Sequence, residues 1–323
     1  MAYVDEVFKS MCKDIIENGT DTKGELVRPV WPDTGEKAYT IKKFGVVNRY
    51  DLRKEFPALT LRKTMIRSAV DELLWIWQKK SNNVNDLNSH IWDEWADATG
   101  SIGKAYGYQI GKRYFHHKDK VTDDYTLKNF EKRYKDYPSF QYKITTTDKT
   151  DLHISGFKIY LDQIDAVIYD LKHNPYSRRI ITNIYNLEEL SEMNLYPCAY
   201  SMTFNCTKDP DSDKIVLNGI LNQRSQDVLT ANNWNVVQYA VLLHMIAQVC
   251  GMVAGELVHV IADCHIYDRH IPLVEELISR EPYPAPKLWI DPTITNFYDF
   301  TPDSVKLIDY KTGEQIRNIP VAV

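Results

Sequence analysis

The stretch from Val236 to Cys250 is almost continuously apolar, and it constrains this chain more than any other segment. A helix that is apolar all round has no side to leave in water, so it belongs in the centre of a core. The chain has 323 residues, of which 44% are hydrophobic and 26% charged. This length is enough to bury one sizeable core. We therefore predict a globular protein built around this helix, with room for a small accessory lobe.

The bulk charge and the cysteines exclude several classes of protein. The net charge of −5 argues against a general nucleic-acid binder, so an anionic ligand would need a local basic cluster. No apolar run reaches the roughly eighteen residues of a membrane span. The N-terminus has no signal-peptide pattern. The cysteines form no CxxC pair and no metal-ligand spacing. We expect a cytosolic protein with reduced thiols at Cys12, Cys198, Cys206, Cys250 and Cys264.

Hydrophobic periodicity predicts a mixed α/β (α+β) fold, a sheet flanked by helices. Gly19 is expected to cap the first helix. The predicted helices are Tyr3–Asn18, Thr64–Trp77 and Tyr160–Lys172, and the predicted strands are Ala38–Tyr50, 180–186, Leu217–Leu221 and Leu257–Ile261.

The composition changes abruptly between residues 112 and 154, which are rich in charge and tyrosine and poor in aliphatic side chains. We interpret this segment as an insertion into a single domain of residues 1–323. It is too long for a structureless loop in a compact domain, so it forms either a small lobe or a solvated excursion. His116 and His117 lack cysteine or carboxylate partners in sequence, and we assign them to the surface and not to a metal site.

Cys198 is a candidate nucleophile because Pro197 fixes the backbone at the entrance of a strand. The alternative is a buried thiol that does no chemistry, which is the commoner fate of a free cysteine. A thiolate needs positive charge or hydrogen-bond donors nearby. Arg224 and Ser225 follow in the segment NQRSQD, and a guanidinium also matches the oxygens of a phosphate.

Three further positions carry a chemical expectation. Glu72 lies in an apolar helix, where an unpaired carboxylate is costly, so it either points to solvent or lines a site. Asn235 can both donate and accept, which suits O4 and N3–H of uracil better than the inverted pattern of cytosine. His265 and Tyr267 are two residues apart and share one side of an extended chain. Zinc at the histidines 259, 265 and 270 is disfavoured, since no HExxH motif or cysteine pair accompanies them.

From about Arg28 to Val323 the chain resembles the thymidylate synthase family, with an interruption at the insertion. The blocks that carry the resemblance are DELLWIW (71–77), HIWDEWAD (90–97), GKAYG (103–107), NPYSRR (174–179), YPC (196–198), QRSQD (223–227), NWN around Asn235, ADCHIYDRH (262–270) and the terminal PVAV. The resemblance implies that family's fold, a homodimer formed through a sheet face, and synthesis of dTMP from dUMP and 5,10-methylenetetrahydrofolate, without a metal, a membrane or a specific nucleic acid.

The resemblance also implies a role for individual residues. Cys198 would be the nucleophile, with Glu72, Tyr106 and Asp227 as further catalytic groups. The residues expected to bind dUMP are Arg28, Arg224, Ser225, Gln226, Asp227, Asn235, His265 and Tyr267, together with Arg178 and Arg179 of the partner subunit. Trp92, Asp227 and Ala322 would contact the folate.

Several positions depart from the commonest pattern of the family, mostly along the predicted folate wall: Met65, Ala199, Thr203, Ala262 and the segment TANNW at 230–234, which includes Ala231. They leave open a dUMP hydroxymethylase, in which water and not hydride quenches the intermediate. The intact C-terminal tail and the tryptophans favour water exclusion and therefore the synthase. A noncatalytic homologue that binds nucleotide or RNA is the alternative from another class, and the complete set of catalytic residues argues against it.

Overall fold

The structure is a computed structural model that describes residues 1–120, 127–146 and 154–323. These residues form two compact units, which we call unit 1 and unit 2 and describe separately. Unit 1 contains Met1–Leu73 and Pro197–Val323, and unit 2 contains Leu74–Tyr196. None of the helices in the described ranges combines the length and the hydropathy that crossing a bilayer requires.

Seven α-helices and eleven strands lie in the described part of the chain. The helices are α1 (Tyr3–Asn18), α2 (Ile66–Trp77), α3 (Gly107–Ile110), α4 (Leu127–Arg133), α5 (Gln163–His173), α6 (Asn232–Val249) and α7 (Ile271–Ser279). The strands are β1 (Thr20–Asp21), β2 (Thr40–Asp51), β3 (Tyr114–Lys120), β4 (Gln141–Thr146), β5 (Ile154–Leu161), β6 (Ile181–Asn183), β7 (Ala199–Lys208), β8 (Ile215–Asp227), β9 (Val253–Tyr267), β10 (Lys287–Ile290) and β11 (Val305–Ile308). Short 3₁₀ helices include Asp93–Trp95 and Asp268–His270.

The sheet of unit 1 runs in the order β1-β2-β9-β8-β7. Strands β8 and β9 are parallel, whereas β2 pairs with β9 and β7 pairs with β8 in antiparallel fashion. Side chains of β8 alternate between the two faces, so that Gly219 and Leu221 are buried while Ile220 is exposed. A Cβ on Gly219 would come within 2.6 Å of Leu243 on α6, which shows how closely this helix packs on the sheet. The predicted mixed sheet with flanking helices is thus confirmed.

Helix α6 is buried along almost its whole length, as its continuous apolar run predicts. Helix α1 buries a single stripe, which includes Phe8, Cys12 and Ile15, against a core shared with α7 and β9. Gly19 does stand at the end of α1, but its backbone is extended and not left-handed. The requirement for glycine there is steric, because a Cβ would lie 2.3 Å from the carbonyl oxygen of Ile15.

Unit 2 contains a second sheet, in the order β3-β5-β4, made from the described part of the 112–154 segment and the residues that follow it. Aromatic rings fill the space beneath this sheet. Phe130 of α4 stacks on Phe157 with centroids 4.3 Å apart, and Tyr134 stacks on Phe140 at 4.4 Å. Residues 121–126 and 147–153, which belong to the predicted insertion, lie outside the described residues.

The ends of several elements differ from the sequence prediction. Tyr160 and Leu161 belong to strand β5 and not to the helix, because Asp162 caps α5 by accepting a hydrogen bond from the backbone of Asp165. Strand β8 continues through Arg224 and Ser225 to Asp227, and β9 continues through His265 to Tyr267. Strand β6, by contrast, contains only Ile181–Asn183.

Candidate active site

Cys198 of unit 1 lies immediately before β7, and the guanidinium of Arg224 lies beside its sulfur. Arg224 Nη2 is 3.7 Å from Cys198 Sγ, while Arg224 Nε donates to the carbonyl of Pro197 at 3.0 Å. The backbone N–H of Arg224 also donates to the carbonyl of Cys198 at 2.9 Å. The pairing of β7 with β8 therefore fixes the cation next to the thiol. A neighbouring guanidinium favours the thiolate, which is the nucleophilic form of cysteine.

A chain of side-chain hydrogen bonds connects Asn235 with Glu72. His259 Nε2 lies 2.7 Å from Gln223 Oε1, and Gln223 Nε2 donates to Asn235 Oδ1 at 3.1 Å. Asn235 Nδ2 donates to Gln238 Oε1 at 3.3 Å, and Gln238 Nε2 donates to Glu72 Oε2 at 3.0 Å. Glu72 is buried and accepts these bonds, so the alternative of a solvent-facing carboxylate is wrong.

Trp234 holds the same carboxylate from a second direction. Its indole Nε1 donates to Glu72 Oε2 at 2.5 Å. Trp234 ends the TANNW segment, and two other polar side chains of that segment, Thr230 and Asn232, also contact residues of the candidate site. Thr230 Oγ1 donates to Asp227 Oδ2 at 2.7 Å, and Asn232 Nδ2 donates to Gln226 Oε1 at 2.8 Å. This departure from the family pattern therefore supplies hydrogen-bond partners for Glu72, Asp227 and Gln226.

Asp227, at the end of β8, is fixed by its own loop. Its Oδ1 accepts from the backbone N–H groups of Leu229 at 2.9 Å and Thr230 at 3.2 Å. His270 Nδ1 lies 3.5 Å from Asp227 Oδ1. Burial alone would raise the pKa of Asp227, but the charge of His270 and the donor from Thr230 lower it below the ordinary value. Asp227 is thus an ionised acceptor.

His265 and Tyr267 lie on one face of β9, as the spacing predicts, with ring centroids 5.1 Å apart. His265 pairs in register with Asp227 of the parallel strand β8. Its Nδ1 is 2.7 Å from the carboxylate of Asp263, which fixes the ring and leaves Nε2 for a ligand. Burial raises the pKa of Tyr267 to about 12, so its phenol stays protonated and can donate.

The end of the chain is paired with the loop that carries Arg28. The N–H of Val30 donates to the carbonyl of Val323 at 2.8 Å, and the N–H of Val323 donates back to Val30 at 3.1 Å. Ala322 stands next to this bridge and is partly buried, whereas the side chain of Arg28 is exposed. Two backbone hydrogen bonds therefore hold a terminus that would otherwise fray.

Trp92 and Tyr106 belong to unit 2, where they are in direct contact. Their rings meet edge to face with centroids 4.8 Å apart, and Trp92 also touches Trp75 and Trp95 at 5.7 Å. Tyr106 has a φ of 45°, in the left-handed region that non-glycine residues rarely adopt. Such strain is often found at functional positions.

Arg178 and Arg179 are both exposed in unit 2, just before β6. Neither forms an ion pair with any residue that the structure describes.

Ser225 and Gln226 are the remaining predicted site residues. Ser225 is half-buried in β8, and Gln226 is buried and donates to Gln223 Oε1 at 3.3 Å. In the described ranges, no group of three or more histidine, cysteine, aspartate or glutamate side chains is arranged to hold a metal ion.

Sequence reasoning missed Gln223, Gln238 and His259, which together with Asn235 form the chain of hydrogen bonds that ends at Glu72 and that we call the relay. It also missed Trp234, which donates to Glu72 from a second direction. The signal was present for two of them. Gln238 is a polar residue inside the apolar run of α6, where an unpaired amide would be costly. His259 is likewise polar within a strand that reads as buried, and burial lowers its pKa to about 3, so it is neutral.

Comparisons with known proteins identify the family of this chain. A sequence profile of the family described as thymidylate synthase matches residues 6–323. Thymidylate synthase of Bacillus licheniformis is 39% identical, and thymidylate synthase 1 of Bacillus subtilis strain 168 is 38% identical, each over 98% of both chains. The solved structure of thermostable thymidylate synthase A from Bacillus subtilis superposes on this chain with a TM-score of 0.79. The two sequences are 38% identical, and the match covers 100% of each chain.

The protein is an enzyme, and its class is that of the methyltransferases. The profile match over nearly the whole chain and the identity to full-length relatives define it further: the chain belongs to the thymidylate synthase family. The names of these relatives do not favour the hydroxymethylase alternative, and the noncatalytic alternative is wrong.

Proposed function

We propose that this enzyme converts dUMP to dTMP, with 5,10-methylenetetrahydrofolate as donor of both the carbon and the hydride and with dihydrofolate as the second product. The observation that carries the proposal is the contact of the Arg224 guanidinium with Cys198 Sγ at 3.7 Å. One cation there favours the thiolate and can also face the phosphate of a nucleotide.

The covalent step assigns Cys198 as the nucleophile. Its thiolate adds to C6 of the uracil ring, and the electron pair moves to C5 and O4, which makes C5 a carbon nucleophile. Asn235 would read O4 and N3–H, and the relay from His259 supports this role because it fixes which end of the Asn235 amide is the donor. C5 then attacks the methylene carbon of the folate, and the bond from this carbon to one of its two folate nitrogens breaks, so that the carbon stays attached through the other.

The remaining steps need a proton acceptor and a dry site. Glu72 and Tyr106, with bound water, would take the proton from C5, and elimination of the folate amine leaves an exocyclic methylene. Hydride from the folate reduces this methylene, and Cys198 departs from C6 as the thiolate. Trp92 and the tail around Ala322 would exclude water until the hydride arrives.

The binding roles follow the charges and donors of the site. Arg28, Arg224 and Ser225 would bind the phosphate, with Gln226 as a nearby polar contact. His265 and Tyr267 would bind the sugar hydroxyl, and this selects a 2′-deoxynucleotide. Asp227 suits the pterin of the folate, because an ionised carboxylate accepts from the ring N–H and amino groups. No metal takes part in this scheme.

We further propose a homodimer formed through a sheet face, with Arg178 and Arg179 donated to the partner's phosphate site. Two observations support it. Both arginines are exposed, and Ile220 in the middle of β8 is 40% exposed.

We regard residues 1–323 as one catalytic domain with 112–154 inserted. We place the enzyme in the cytosol, in keeping with five cysteines that are all free.

The test is to incubate the purified protein with dUMP and 5,10-methylenetetrahydrofolate, follow dihydrofolate by absorbance and identify the nucleotide by mass. We expect dTMP and dihydrofolate in equal amounts. The Cys198→Ser variant should lose turnover while it still binds dUMP. Formation of 5-hydroxymethyl-dUMP together with tetrahydrofolate would overturn the proposal.

A further inference from the structure

His270 has no role in the mechanism above, although it lies in the middle of unit 1. It ends the 3₁₀ helix Asp268–His270, which follows β9, and its side chain is fully buried. A buried imidazole normally has a hydrogen-bonding reason to be there, because an unpaired polar ring is costly in the interior.

The two ring nitrogens of His270 face two different parts of the candidate site. Nε2 lies 2.7 Å from the carbonyl oxygen of Pro320, at the start of the C-terminal tail. A carbonyl only accepts, so Nε2 carries the hydrogen and donates. Nδ1 makes no hydrogen bond and lies 3.5 Å from Asp227 Oδ1, a distance at which the contact is electrostatic.

Neighbouring aromatic rings restrict the orientation of the His270 imidazole. Trp31 and Tyr267 meet it edge-on, with centroids 5.8 Å and 5.5 Å away. Trp31 is itself fixed, because its Nε1 donates to Asp268 at 3.1 Å. The preceding residue, Val30, is the one that pairs with Val323. The tail is therefore held at both ends, at Pro320 by His270 and at Val323 by Val30.

We propose that His270 is a positioning residue that couples docking of the C-terminal tail, Pro320–Val323, to the alignment of the Asp227 carboxylate toward the folate. The inference rests on the proposed function, since it takes Asp227 and the tail as folate contacts. When the tail docks, its carbonyl fixes Nε2–H, and the same rigid ring then presents Nδ1 to Asp227. Affinity for the folate and closure of the tail thereby depend on one side chain.

Two variants separate the two ends of the ring. In His270→Gln the amide nitrogen reaches the position of Nε2, so the bond to Pro320 is kept and the contact with Asp227 is lost. In His270→Asn the amide nitrogen takes the position of Nδ1, so the contact with Asp227 is kept and the bond to the tail is lost. Each variant is the matched control for the other.

The measurements are KM for 5,10-methylenetetrahydrofolate, kcat, dUMP affinity by calorimetry, and the rate at which carboxypeptidase trims the tail, followed by mass. We expect KM for the folate to rise about tenfold in both variants, through loss of the hydrogen bond to Pro320 in His270→Asn and loss of the electrostatic contact with Asp227 in His270→Gln, with dUMP affinity unchanged. Trimming should accelerate in His270→Asn and stay at the wild-type rate in His270→Gln. Equal trimming of the two variants, or an unchanged KM in both, would overturn the inference.

Deletion of residues 320–323, made both in the otherwise unaltered chain and in the His270→Asn variant, provides a second test. The deletion removes the partner of Nε2, so adding His270→Asn to it should cause no further rise in KM for the folate. An additive rise would mean that His270 does not act through the tail. Failure of the wild-type protein to form dTMP would instead contradict the proposed function, and the trimming assay, which needs no turnover, would still report on His270.

Discussion

One carboxylate sets the orientation of three amides in this site. Glu72 Oε2 accepts a hydrogen bond from Gln238 Nε2, so Gln238 turns its Oε1 toward Asn235. Asn235 must then donate through Nδ2, which leaves Oδ1 to accept from Gln223. Because each amide fixes the next, Asn235 offers a ligand one defined donor and one defined acceptor. Under the proposed role of Asn235, discrimination between uracil and cytosine therefore depends on the residues that orient its amide.

Trp234→Phe should lower kcat about tenfold, with dUMP affinity unchanged. The substitution keeps an aromatic ring and removes the indole N–H that donates to Glu72 at 2.5 Å, together with part of the side-chain volume. A hydrogen bond to a charged group contributes roughly 1.5 to 3 kcal/mol, and about 1.4 kcal/mol corresponds to a factor of ten in rate. Steady-state kinetics and calorimetry test this.

The control is Trp289→Phe on β10, since that indole lies on the surface under Lys306 and outside the relay. It should keep the wild-type kcat. If Trp234→Phe also keeps the wild-type kcat, Trp234 does not orient the Glu72 carboxylate for the proposed reaction.

At the scale of single elements, the buried histidine of α6 should make stability depend on pH. Burial lowers the pKa of His244 to about 4, and its Nε2 has no hydrogen-bond partner. The unfolded chain binds a proton below about pH 6.5 and the folded chain does not, so stability present at pH 7 is lost as the pH falls toward 4. His244→Met removes this titration, because methionine fills a similar space without a charge.

Urea unfolding at pH 7 and pH 5 measures the effect. The free energy of unfolding of the wild type, relative to that of His244→Met, should fall by roughly 2 kcal/mol between the two pH values. An identical difference at both pH values would show that His244 accepts its proton as readily in the folded protein as in the unfolded one.

Phe130 of α4 should be the main support of the β3-β5-β4 sheet. It is buried and contacts Phe157, Tyr142 and Tyr134 with centroids 4.3 to 5.4 Å away. Phe130→Ala should destabilise this part of unit 2 by about 3 to 5 kcal/mol. Phe115→Ala removes a ring that is 47% exposed and should change stability by no more than about 0.5 kcal/mol. Amide exchange of the β5 backbone tests both, and equal exchange in the two variants would contradict the assignment.

Elements with a strong local pattern were predictable, whereas their ends and partners were not. The apolar run that gives α6 and the stripe that gives α1 are local properties, and both helices are found where they were expected. Tyr160 was placed in a helix because its spacing fits one, but pairing with Phe115 and Gln141 holds it in β5. That pairing joins residues far apart in sequence. The relay through Gln223, Gln238 and His259 was missed for the same reason, since it brings together α2, β8, α6 and β9.

At the scale of the whole molecule, the position of two arginines favours the proposed homodimer. The net charge is −5, yet Arg178 and Arg179 stand side by side and exposed, without an ion pair to any described residue. Two exposed cations close together in sequence attract an anion such as a phosphate. A phosphate bound in a second subunit would supply that anion, as the proposed homodimer requires.

Mixing two inactive variants tests this arrangement. In a heterodimer of Cys198→Ser and Arg178→Ala subunits, one site contains both defects and the other contains neither, provided that the arginine crosses the interface. Random reassociation of equal amounts makes half of the dimers mixed, so about a quarter of the wild-type activity should return. A mixture of Cys198→Ser with Arg224→Ala is the matched control. Arg224 lies 3.7 Å from the cysteine of its own chain, so every site in that mixture keeps a defect and no activity should return. If the Arg178→Ala mixture also stays inactive, Arg178 serves its own subunit and its assignment to the partner's phosphate site is wrong.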